Sequence, residues 1–145
     1  MEKLYAHCFL WALGLTDGET YGDTLHRQFR AQPACPLLFA LEESLSDTGH
    51  SLCLLEGACN DGSNAFAQDA FARELFSGLR AVYRENRFPL PVLGGKCHRL
   101  WEALPESLRY QQPFHALEYA QDSLAWGDEA GMRAHLEAAI AMACE

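Results

Sequence analysis

Apolar residues in this chain recur every three or four positions, and that spacing limits its fold more than any other feature. After Pro36, Leu37, Leu41, Leu45, Thr48, Leu52, Leu55 and Cys59 advance by alternating fours and threes. Side chains at those intervals share one face of an α-helix, whereas a half-buried strand would alternate every second residue. Phe71, Leu75, Leu79 and Val82 repeat the pattern further on. The fold class expected is therefore all-α.

Glycine and proline punctuate the pattern. A first helix is predicted over 2–13, stopped by Gly14, and a short one over 24–30. Residues 36–59 read as one helix, or as two broken at Ser46-Asp47-Thr48-Gly49. Further helices are predicted over 65–85 and 96–103, with a final pair, 114–126 and 129–142, turning at Gly127-Asp128. Residues 87–95 (RFPLPVLGG) read as extended, because Pro89 and Pro91 disfavour helix at and before them. The expectation is one compact domain over residues 1–145, a bundle of five or six helices ending in an antiparallel αα-hairpin. Trp11, Trp101 and Trp126 are expected to be largely buried.

The first helix carries Leu4, Cys8, Trp11 and Leu15 on one face and Phe9, Leu10 and Leu13 on the other. A helix apolar nearly all round is either central in a core or pressed against a partner chain.

The chain has 145 residues, 49% apolar and 21% charged, enough to bury a core without disulfide or metal staples. Its six cysteines are accordingly read as reduced thiols in a cytoplasmic protein. The apolar stretch Leu4–Leu15 faintly resembles a signal segment. However, it has one lysine beside Glu2, is interrupted by His7, lacks a small-residue cleavage site and is too short to span a bilayer. A net charge of −9 argues against gripping nucleic acid or an anionic membrane.

That charge is segregated. Residues 73–109 hold seven Lys or Arg against four Asp or Glu, while the flanks hold three against ten and one against six. Arg73, Arg80, Arg84 and Arg87 fall in one helical sector, nearly opposite the Phe71–Val82 stripe, and Lys96 and Arg99 follow. Arg80, Arg84, Arg87, Lys96 and Arg99 are thus a candidate anion site, for a phosphate-bearing ligand or an acidic partner segment. The plainer alternative is a solvated helix face paired with Glu74 and Glu85.

Other motifs are weaker. Gly94-Gly95-Lys96 could open a helix onto an anion, but Leu90 and Cys97 stand where a phosphate loop needs Gly and Ser or Thr. His7-Cys8, Cys97-His98 and the His115/Glu118 pair lack metal-site spacing, so neither metal nor cofactor is expected. Cys97, between Lys96, His98 and Arg99, is the one thiol with activating neighbours. Glu42, Glu43 and Asp47 have no second acidic pair to face.

Three function classes follow. The first is a non-enzymatic interaction or regulatory module, binding an unknown protein partner or itself. The second is a small-ligand or anion binder using the central arginines and lysine. The third is an enzyme whose site is assembled from scattered residues.

Overall fold

A computed structural model describes residues 1–60, 66–120 and 127–144. Among these residues the structure is helical, with no strand. The chain divides into two compact units, Met1–Leu75 and Phe76–Glu145.

The first unit holds α1 (Glu2–Ala12), α2 (Gly18–Ala31), α3 (Pro36–Glu43), α4 (Thr48–Asn60) and the first part of α5 (Gln68–Arg84). α1 is its centre, packed on α2 and α4. Leu4, Tyr5, Ala6, Cys8, Phe9 and Leu10 are all buried, while Trp11 and Leu13 are half-buried. Tyr5 and Phe9 join Phe66 and Phe71 in a ring cluster, with Tyr5 centroids 4.8 Å from Phe9 and 5.0 Å from Phe71. α1 ends as its sequence implies. Gly14 takes a left-handed φ of 67°, Leu15 N–H donates to Leu10 C=O and Gly14 N–H to Trp11 C=O. That pair of bonds is the Schellman closure.

α2 begins six residues earlier than predicted, because Asp17 caps it and accepts from Glu19 N–H at 3.1 Å. The question left open over 36–59 resolves as two helices. Asp47 accepts from His50 N–H at 3.0 Å and caps α4, while the buried Ser44 and Ser51 hydroxyls meet at 3.1 Å across the break. Of the four-three seam only Leu41 and Leu55 are buried; Leu38, Ser44 and Ser51 complete the inward face.

The second unit holds the rest of α5, α6 (Leu90–Ala103), α7 (Glu106–Arg109), a 3-10 segment (Phe114–Leu117) and α8 (Glu129–Cys144). The 3-10 segment packs against α6, α7 and α8, and Phe114 meets Phe76 at 6.0 Å. The expected extended segment is corrected here: α6 starts at Leu90, with Pro91 in its first turn. First-turn N–H groups have no helical acceptor, so proline there forfeits nothing. Gly127 takes a φ of 73°, and Asp128, which accepts from Gly131 N–H at 2.8 Å, caps the start of α8.

Eight α-helices among the described residues replace the expected five or six. The additional elements come from the split at Ser44–Asp47 and from the single turn of α7. The first arm of the expected hairpin begins as 3-10 rather than α-helix, and residues 121–126, including Trp126, lie outside the described residues. The turn that Asn60-Asp61-Gly62-Ser63 reads as in sequence also lies, from residue 61 on, outside the described residues. Trp11 and Trp101 are half-buried rather than largely buried. No helix among the described residues is long and apolar enough to cross a membrane.

Candidate anion-binding cleft

Two residues of the arginine stripe converge on a cleft. Arg80, Tyr83 and Arg84, from the last two turns of α5, face Glu137, Ile140, Ala141 and Cys144 of α8 across a hollow of about 280 Å³. Ser77 meets Cys144 (Oγ to Sγ, 3.6 Å) while Tyr83 meets Glu137, so the two helices run antiparallel here. Leu79 and Val82 bury the opposite face of α5, and this turns the arginines outward.

Both arginines lack a carboxylate neighbour on their own helix. The sequence denies them one: positions three and four away from Arg80 are Ser77, Phe76, Tyr83 and Arg84, and those from Arg84 are Ala81, Arg80, Arg87 and Phe88. Among the described residues neither Arg80 nor Arg84 forms an ion pair. The acid across the cleft, Glu137, accepts from Tyr83 Oη through Oε1 at 2.7 Å, and Arg133 Nη1 approaches the same hydroxyl at 3.5 Å. Like charges one turn apart repel, and an anion between them would relieve that repulsion. Ile140 and Ala141 add an apolar wall. The placement has a structural benefit as well, because basic residues near a helix C-terminus oppose its dipole.

The rest of the predicted set lies elsewhere. Arg87 is beyond the helix: Asn86 takes a φ of 50°, Arg87 N–H closes back on Val82 C=O, and the guanidinium pairs with Glu85. Lys96 lies over the Phe88 ring, 5.0 Å from its centroid, and Arg99 is exposed on α6. None of the three lines the cleft. Tyr83 and Glu137 line it, Arg133 approaches it through the Tyr83 hydroxyl, and none of the three was anticipated. Tyr83 lies one turn from Arg80 and was legible; Arg133 and Glu137 are fifty or so residues away and only the α5–α8 pairing brings them in.

The other motifs find structural roles. Gly94 and Gly95 lie inside α6, with Gly94 buried, so they open no helix onto an anion. Cys97 is fully buried and burial pushes its thiol up to about 12, which removes the activation its charged neighbours implied. Cys8 is likewise buried and raised to about 12. Asp47 spends an oxygen capping α4. His115 pairs with Glu118 at 2.8 Å, and His7 Nε2 lies 3.8 Å from Glu74. No group of three or more His, Cys, Asp or Glu among the described residues is arranged to hold a metal.

A larger cleft, of about 500 Å³, lies in the first unit between Glu2, Gln28, Gln32, Cys35 and Leu38. Its one ionised side chain is already used: burial alone would raise Glu2, but the Ala67 N–H that it accepts at 3.0 Å helps hold it below the usual value. Glu2 also pairs with the Met1 ammonium at 3.6 Å, and the smaller cleft is the better candidate. Comparison with protein-family models, curated proteins and solved structures finds no match to this chain.

Proposed function

We propose that this protein is a non-catalytic binding module that holds a small anion, a phosphate monoester or carboxylate with an apolar substituent, between Arg80 and Arg84. One observation carries the reading: two guanidinium groups, unpaired among the described residues, line one cleft with a hydroxyl and an apolar wall. Guanidinium forks match phosphate and carboxylate oxygens geometrically. Binding of this kind fits a regulatory role inside one cytoplasmic domain. The six unpaired thiols favour that reducing setting. Self-association through α1 has less support, since of the apolar residues that suggested it Leu4, Cys8, Phe9, Leu10 and Leu15 are buried and Trp11 and Leu13 are half-buried.

The test is a melting experiment at constant ionic strength with phenyl phosphate, inorganic phosphate and chloride. A ligand that binds only the folded state raises its stability by mass action. The melting temperature should rise most with phenyl phosphate, and the rise should vanish in Arg80→Gln/Arg84→Gln. An equal rise in that variant, or none in the native chain, overturns the reading.

A further inference from the structure

A second surface in the Phe76–Glu145 unit has the opposite chemistry. His98 and Trp101 of α6, Tyr110 after α7, His115 of the 3-10 segment and Tyr119 form an unbroken chain of rings. Successive centroids lie 5.9, 6.0, 5.9 and 5.3 Å apart. The last three contacts are edge-to-face, at 85°, 60° and 63°.

Single exposed aromatics are ordinary on protein surfaces. Here two tyrosines, Tyr110 at 63% exposure and Tyr119 at 44%, flank one histidine on a braced scaffold. Trp101 Nε1 donates to Arg109 C=O at 2.9 Å, and His98 Nδ1 lies 3.2 Å from Glu118 C=O. Carboxylates edge the strip: Glu118 lies on His115 at 2.8 Å and Glu102 near His98 at 3.4 Å.

Ring faces carry negative potential, and carboxylates beside them reinforce it, so this surface selects cations. One cation of the chain already uses it. The Arg109 guanidinium sits 5.8 Å over Trp101, anchored by the Leu104 and Glu102 carbonyls. Tyr110 and Tyr119 remain open to solvent.

We infer that the Trp101–Tyr110–His115–Tyr119 strip is a docking surface for an extended basic segment of a partner protein, with arginine or lysine at alternate positions. The charge beside the rings is complementary: Glu102 and Glu118 edge the strip, and residues 98–119 hold three acids against two bases, one of which, Arg109, already lies on Trp101. The spacing is complementary too, because alternate side chains of an extended peptide lie about 6.6 Å apart, close to the ring-to-ring steps. A lone ammonium ion would use one step of a strip that offers several. This site is independent of the Arg80/Arg84 cleft and takes the opposite charge.

The test is fluorescence anisotropy of a labelled peptide alternating arginine and serine, at low ionic strength, with a citrulline-for-arginine peptide as the neutral isostere. The arginine peptide should bind saturably and the citrulline peptide should not. Tyr110→Leu/Tyr119→Leu should weaken binding about five- to thirty-fold, as expected for losing two exposed cation–π contacts. Tyr110→Phe/Tyr119→Phe, which keeps the rings, should stay within about two-fold. Circular dichroism melts of both variants establish that they fold. Absent binding by the native chain, equal binding of the citrulline peptide, or full-strength binding by the folded leucine variant would each overturn the proposal. So would tetramethylammonium binding as tightly as the peptide.

Discussion

Replacing Tyr5 by phenylalanine should stabilise this protein, against the usual direction of core substitutions. Tyr5 is 1% exposed in the middle of α1, and its hydroxyl has no hydrogen-bond partner among the described residues. Burial, with the Glu56 carboxylate adding to it, pushes its phenol above the ordinary range, so the group stays neutral and pays only for lost hydration. An unsatisfied buried polar group costs about 1–3 kcal/mol, while the ring contacts with Phe9, Phe66 and Phe71 survive the change. Deleting the oxygen leaves a void smaller than a methyl group, which returns a fraction of that gain. The net expectation is about 1 kcal/mol of added stability, or about 2–5 °C in melting temperature for a chain of this size. Urea unfolding followed by far-UV circular dichroism measures it, with an unchanged slope showing that the unfolded surface is the same. A loss of more than about 0.5 kcal/mol would refute the reasoning, because it would mean the hydroxyl is satisfied and worth keeping.

Other expectations follow from the same packing. His7 is held below its usual 6.5 chiefly by burial, with Glu74 pulling the other way. The unfolded chain therefore takes up its proton first, and stability that is full above 6.5 should fall as pH drops from there towards the depressed folded value, a loss that His7→Gln removes from the melting profile. Asp47→Ala should cost about 1 kcal/mol by uncapping α4, read by thermal denaturation. A Cβ on Gly18 would lie 2.7 Å from Trp11 Cε2, so Gly18→Ala should cost about 1–3 kcal/mol and change the near-UV tryptophan signal. The thiol reagent DTNB at mildly alkaline pH should modify the exposed Cys53 promptly, and Cys8 and Cys97, both pushed up to about 12, only on unfolding.

Much of the helical organisation was legible because it is written locally. Gly14 stops α1, Gly127-Asp128 starts α8, and Phe71, Leu75, Leu79 and Val82 are all buried, each a matter of one turn or one face. The errors lie where a residue's role depends on position within an element. Pro91 reads as a helix breaker until it is seen in a first turn, and Asp17 is legible as a cap only once Gly18 is taken as helical. The four-three spacing runs on across the gap between α3 and α4, so periodicity alone leaves one helix or two open, and only the turn residues at Ser46–Gly49 mark the break. For the cleft, angular bookkeeping on α5 found Arg80 and Arg84, then overran the helix to include Arg87, which Asn86 turns away. Lys96 and Arg99 were joined to the set by nearness in sequence, and Glu137 and Arg133 were missed because their distance in sequence conceals their contact with Tyr83.

The central claim is that Arg80 and Arg84 together hold an anion. The most direct measurement is an NMR titration of the ¹⁵N-labelled protein with phenyl phosphate, following the arginine Nε–Hε signals and the amides of α8. Saturable shifts confined to Arg80, Arg84 and the amides of Glu137–Ala141 are predicted. Unmoved arginine signals, or shifts centred on Lys96 and Arg99 instead, would contradict it.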